Sequence, residues 1–356
     1  MSKVTILTQV LNFGHMVVGF DIDWDKGEVT EKDLTLEGGF VDLRAKKESS
    51  GITGVSVTDG VLHIDVDPFL YESNFTLSGK GLTVTKDTAD DMKTAVVDEF
   101  TRHEKYGVLY RLYSPKAESA RPLILFLHGG GEQGFDNEKQ LLGTIGAAKL
   151  AERYPDVYVL APQAPSDPGG FDFSKLPKME RMTFATSDFG GETGWHRKYL
   201  ASVCDIIREM IADGKVNPKR VYVTGMSMGG GGTLRALSVG NDLFAAAVPI
   251  CPTMTPETYG ILCGLTDTKI WIATAYVDHT IYRHKYIVDG IMKLKDAGNK
   301  NARLTLYSPE DLAKYGIATD PELPLAAKFG ANHASWILVM NNEEGILDWL
   351  MAQTRD

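Results

Sequence analysis

Cysteine is scarce: Cys204, Cys251 and Cys263 are the three in 356 residues. An odd count with no CxxC or Cys/His spacing excludes a disulfide framework and indicates no metal site. No apolar run approaches the length of a membrane span, and Gln9, Asn12 and His15 break the N-terminal apolar stretch before it could form a signal-peptide core. A cytoplasmic protein with no membrane partner is therefore expected. Basic runs are missing too, and a formal net charge of −10 repels nucleic acid on average. The glycines at 129–131 are not followed by the Lys-Ser/Thr pair of a phosphate-binding loop. Internal repeats and low-complexity tracts are absent. What remains is an ordinary globular composition, 43% hydrophobic and 24% charged, long enough for one large domain and one small one.

Residues 1–97 alternate apolar and polar positions in short runs (17–24, 54–57, 61–66, 82–85), separated by turn residues such as Asp59-Gly60 and Gly38-Gly39. That pattern predicts a small all-β sandwich, immunoglobulin-like in architecture and antiparallel. From residue 98 to 356 the texture is α/β, with strands expected at 107–112, 122–127, 156–161, 221–223, 244–250, 269–275 and 303–307. Helices are expected at 197–213, 287–296 and 345–353. Apolar runs buried on both faces and alternating with helices predict one doubly wound, mainly parallel sheet. Two long irregular stretches, 164–195 and 308–331, interrupt the alternation. The first is rich in aromatics and is expected to cover a pocket.

The stretch with the clearest chemistry is Val221-Tyr222-Val223-Thr224-Gly225-Met226-Ser227-Met228-Gly229. A strand, a serine between two glycines and then a helix is the pattern of a nucleophile elbow, in which the sharp turn lifts the serine oxygen clear of the sheet and leaves no room for side chains two residues away. Gly229 to Gly232 in succession imply that the following helix packs very closely. His128-Gly129-Gly130-Gly131-Glu132 follows the apolar run 122–127. A glycine loop there can turn backbone N–H groups toward a developing oxyanion, so Gly130 and Met228 are the expected donors. His128 is expected to orient backbone in that loop. Asp278, just beyond the run 269–275, is the candidate acid, and His333 in Asn332-His333-Ala334 the candidate base. The chain order Ser227, Asp278, His333 matches one of the known arrangements of such a triad. Gly131, Trp195, His279 and Trp336 are expected to line the substrate pocket.

Through LHGGGEQGFDN, VNPKRVYVTGMSMGGGGT, FAAAVPIC and NHASW the chain resembles the α/β-hydrolase superfamily over nearly all of residues 100–356. More narrowly it is similar to bacterial carboxylesterases and predicted peptidases related to polyhydroxybutyrate-depolymerase-like and feruloyl esterases, some of which carry an N-terminal immunoglobulin-like domain. The resemblance implies a cofactor-free serine hydrolase that acts through an acyl-enzyme on short acyl or aryl esters. A small-molecule ester, or an aromatic ester on a glycan, is the implied partner. Peptidase action uses the same residues and stays open, as does a feruloyl or acetyl esterase acting on plant polysaccharide. A binding scaffold without activity is disfavoured by the complete residue set. The N-terminal domain carries no catalytic candidate, which leaves homo-oligomerisation or control of pocket access as its role.

Overall fold

The computed structural model describes residues 3–42, 47–49, 51–117, 119–166, 194–276, 278, 283–317 and 332–355. It divides into two compact units, Met1–Phe100 with Leu141–Ala148, and Thr101–Gln140 with Lys149–Asp356. Among the described residues no helix is long and apolar enough to cross a membrane.

The N-terminal region of the first unit is all-β, as the alternating runs imply. Its larger sheet has five strands, and a three-stranded sheet is formed by Thr35–Gly38, Phe75–Gly79 and Leu82–Val84. Inward residues of both sheets, including Ile6, Phe20, Ile22 and Ile64 from one and Phe75, Leu77 and Val84 from the other, share one core. Among the described residues the pairing is antiparallel with one exception. Val4–Leu11 pairs in parallel with Asp91–Thr94 at the sheet edge. Polar, exposed residues in Asp91–Thr94 (DMKT, with Thr94 alone buried) hide that strand from a reading based on alternation.

In the second unit eight strands build one sheet. They are β1 (Thr101–Lys105), β2 (Val108–Tyr113), β3 (Arg121–Leu127), β4 (Tyr158–Pro162), β5 (Val216–Met226), β6 (Ala246–Ile250), β7 (Ile270–Ala275) and β8 (Ala302–Tyr307). Their spatial order is β1-β2-β4-β3-β5-β6-β7-β8. The first two pairings are antiparallel and the remaining five parallel. The doubly wound, mainly parallel sheet is thus present. β3 lies at its centre because residues 122–127 are apolar without interruption and can be covered on both faces.

Four helices matter for the site. In α1 (Arg197–Ala212) the buried stripe is Leu200, Val203, Ile206, Ile207 and Met210, and the His196 side chain caps the N-terminus by accepting from the Tyr199 N–H. α2 (Met228–Val239) leaves the end of β5 and is buried almost all round. α3 (Pro256–Gly264) was not legible from apolar spacing. Its start is marked by a Thr255/Thr258 capping box with proline in the first turn. α4 (Arg283–Asp296) begins four residues earlier than its apolar spacing suggests. The stretch expected to be irregular from 308 opens with a short helix, Pro309–Ala313. Residues 167–193 of the aromatic-rich insertion and 318–331 of that second stretch lie outside the described residues.

Candidate active site

Ser227 sits between β5 and α2 with φ 56° and ψ −115°, a backbone conformation that a non-glycine residue holds only when its surroundings impose it, at a cost of about 1–3 kcal/mol. Three backbone hydrogen bonds impose it here. The Ser227 N–H donates to the Ile250 carbonyl at 2.9 Å, and the Ser227 carbonyl accepts from Gly231 at 3.1 Å and Thr253 at 2.9 Å. The flanking glycines leave room for this turn. A Cβ on Gly225 would come within 2.5 Å of the Gly229 carbonyl oxygen, and one on Gly229 within 2.5 Å of the His128 carbonyl oxygen and closer still to that of Leu127. The turn and the loop after β3 therefore touch backbone to backbone. Further along α2, a Cβ on Gly230 would stand 2.7 Å from Pro252 Cα, and one on Gly232 at 2.7 Å from Trp195 Cγ. Close packing of helix against strand and ring accounts for the run of glycines.

The hydroxyl is part of a chain of hydrogen bonds. Ser227 Oγ lies 2.7 Å from His333 Nε2, and His333 Nδ1 lies 2.7 Å from Asp278 Oδ1. The three residues come from different places: the end of β5, the loop after β7, and the turn before α5 (Trp336–Asn341). Asp278 is fully buried and His333 is 7% exposed. Burial works against a charged imidazole, but the Asp278 carboxylate beside it outweighs burial and holds His333 above its ordinary 6.5. The Trp336 ring meets the His333 ring edge-on, with centroids 5.4 Å apart, and fixes the imidazole plane. With Nδ1–H donated to the carboxylate, Nε2 can accept the hydroxyl proton and the carboxylate can stabilise the imidazolium that results.

The HGGG loop lies beside this chain. His128 is buried, its Nε2 accepts the Ala164 N–H at 2.9 Å, and its Nδ1–H donates to the Gly129 carbonyl at 2.6 Å. Both nitrogens are committed to backbone, as expected of an orienting residue. Burial pushes the imidazole down to about 4, so it stays neutral. Gly130 opens a short 3₁₀ turn, Gly130–Glu132, and the space where side chains at Gly130 and Gly131 would project is empty. Met228, as first residue of α2, has an N–H without an acceptor inside its own helix. That N–H, directly after Ser227 in the chain, is one a developing oxyanion could use.

Trp195, expected in the pocket lining, is packed inside the protein. It is 1% exposed, its ring covers Gly232, and its Nε1–H donates to the His128 carbonyl at 3.0 Å. A large ring fills the space the glycine leaves, so its role is to brace the loop against α2. Trp336 packs on His333, Gly131 is exposed on the loop, and His279 lies outside the described residues.

Three further residues acquire a place only in the structure. Glu132 is buried, and its carboxyl accepts the N–H groups of Gly129 and of Glu132 itself. Burial nevertheless raises it from 4.5 to about 7. Gln163, also buried, donates to the Glu132 carbonyl at 3.1 Å and accepts the Asn137 N–H at 2.6 Å, pinning the far end of the loop. Cys251, fully buried at the end of β6, places its sulfur beside His333 and Asp278. These three form the one group with metal-type donor atoms within reach of one another among the described residues. A charged residue directly after HGGG was a usable signal for Glu132. Nothing in sequence marks the other two.

The sequence profile of the alpha/beta hydrolase family matches residues 124–337. Among solved structures, the chain is similar to a thermostable esterase at 24% identity, covering 99% of this chain and 100% of that one with a TM-score of 0.72. That likeness shows a shared fold over the full length. Weaker likenesses include Thermogutta terrifontis esterase 2 phosphorylated by paraoxon, at 13% identity, 71% of this chain, 96% of that one and a TM-score of 0.43. Another is the S-formylglutathione hydrolase of Staphylococcus aureus, at 14% identity, 71% and 95% coverage and a TM-score of 0.44. No curated protein matches the chain in sequence.

Proposed function

The chain belongs to the alpha/beta hydrolase family, and on that footing we propose that it is a serine carboxylesterase acting on short acyl or aryl esters. The observation that carries the reading is the Ser227–His333–Asp278 chain, with both links at 2.7 Å. In this reading Ser227 Oγ attacks the ester carbonyl as His333 Nε2 takes its proton. The N–H groups of Gly130 and Met228 receive the oxyanion. His333 then returns the proton to the departing alkoxide, and water, activated by the same imidazole, releases the acid. Asp278 keeps the imidazole in the tautomer that leaves Nε2 open. The geometry calls on no cofactor for any of these steps.

The ester preference is tested by steady-state hydrolysis of p-nitrophenyl acetate and the matched anilide. The proposal expects a much larger kcat/KM for the ester, and faster turnover of the anilide would make the protein a peptidase instead.

A further inference from the structure

Cys251 closes β6, and the proposed mechanism makes no use of it. Its backbone φ is 35°, in the region where a side chain is strained by about 1–3 kcal/mol and glycine is not. The chain holds a buried sulfur there. The Cys251 N–H donates to the Ala273 carbonyl at 2.8 Å, which ties the strained turn to β7, the strand leading to Asp278. The Cys251 sulfur, an Asp278 carboxylate oxygen and a His333 ring nitrogen all lie within 4.8 Å of one another.

Thiolate, imidazole and carboxylate are the donors a zinc-type ion takes, at bond lengths of about 2.0–2.3 Å, which sets ligand atoms roughly 3.3–3.8 Å apart around a tetrahedral ion. The present spread needs only a small adjustment. The Nδ1 to Oδ1 pair, now 2.7 Å apart, would open by roughly 0.6–1 Å to admit the ion. We propose that Cys251, Asp278 and His333 form a binding site for a soft divalent cation of the zinc–cadmium class, and that its occupation switches off the proposed esterase. The switching rests on the esterase reading, whereas the binding site does not.

The charge and proton balance is closed. The ion takes the Nδ1 lone pair, the imidazole proton moves from Nδ1 to Nε2, and the imidazole remains neutral. The Cys251 thiol releases one proton to solvent, and Asp278 remains a carboxylate. A doubly charged ion, one thiolate and one carboxylate sum to zero, which suits a buried position. With its proton on Nε2, His333 donates to Ser227 Oγ and has no lone pair for the hydroxyl proton. Sulfur in the donor set favours zinc and cadmium over magnesium and calcium. Cys251 and Asp278 are 0% exposed and His333 is 7% exposed, so the three ligands are screened from bulk water, and a fourth, such as a water, would complete a tetrahedral set.

The test is a titration of the full-length protein with cadmium chloride, followed by the ultraviolet sulfur-to-cadmium charge-transfer absorption. One equivalent should give the band in the native protein, in Ser227→Ala, and in Cys204→Ala/Cys263→Ala, where Cys251 is the one thiol left of three. Cys251→Ser should lose the band, and calcium at the same concentration should not compete. Hydrolysis by the native protein should fall in proportion as the band grows. A native band that disappears in Cys204→Ala/Cys263→Ala would move the site to another thiol and overturn the proposal, as would the absence of any band. If the band forms while hydrolysis is undiminished, the inhibitory half is overturned. A native protein without hydrolysis sinks the esterase reading and leaves the band alone to decide the site.

Discussion

The carbonyl oxygen of Leu127 occupies the space that a side chain on Gly229 would need. This contact sets the end of β3, and so the glycine loop, against the first turn of α2. Gly131, three residues after the loop begins, faces empty space. The two glycines should therefore respond in opposite ways to one added methyl group. Gly229→Ala should lower the urea unfolding free energy by about 1–3 kcal/mol through overpacking and cut hydrolysis with it. Gly131→Ala should change stability by no more than about 1 kcal/mol, in the stabilising direction, because alanine narrows the unfolded chain. Equal behaviour of the two variants would mean that the backbone contact does not shape the turn.

Glu132 and His128 make opposite contributions to stability against pH. The Glu132 carboxyl is raised in the folded protein from 4.5 to about 7, so the folded state holds a proton that the unfolded chain releases. Its contribution is complete below pH 4.5 and lost as pH rises through 7. His128 is lowered from 6.5 to about 4, so its contribution is complete above pH 6.5 and lost as pH falls through 4. Between those limits the two slopes, each about 1.4 kcal/mol per pH unit, offset one another. Glu132→Gln removes one of them. Relative to the native protein its unfolding free energy should rise between pH 4.5 and 7 by a total of about 3 kcal/mol, measured by urea unfolding along that range. A difference that stays flat with pH would contradict the assignment.

His333 is held above 6.5 by Asp278. The acid limb of the kcat/KM profile for an ester should therefore lie above pH 6.5, with activity rising as the imidazolium loses its proton. In Asp278→Asn the limb should move to lower pH, since the carboxylate that raised it is gone, and the rate should fall on the order of 10⁴-fold because the imidazole no longer keeps the useful tautomer. A limb that stays in place in this variant would assign it to another group.

The parts of this fold legible in sequence are those whose neighbours can be inferred from the residues themselves. The strand at 122–127 is apolar on both faces, and such a run has few places to lie except the middle of a covered sheet. The strand Thr101–Lys105, with the sequence TRHEK, is mostly exposed at the antiparallel edge, and nothing in its composition separates it from a loop. α3 carries no apolar stripe and was marked only by its cap. In the site, glycine spacing and chain order single out Ser227, Asp278 and His333 because the elbow and the strand ends constrain residue type locally. Aromatics in a long insertion suggest a pocket lining for Trp195, yet its position follows from the gap above Gly232, a relationship between distant segments. Cys251 was equally hidden, since its place beside His333 depends on two strand ends meeting.

Ser227 as the nucleophile is tested most directly by intact-protein mass after reaction with a fluorophosphonate, paired with p-nitrophenyl acetate hydrolysis by native protein and Ser227→Ala. A nucleophilic Ser227 predicts one adduct per native chain, mapped to Ser227 by peptide digestion. It also predicts no adduct in Ser227→Ala and a loss of hydrolysis on the order of 10³-fold or more. An adduct on another residue, or hydrolysis by Ser227→Ala at the native rate, would contradict it.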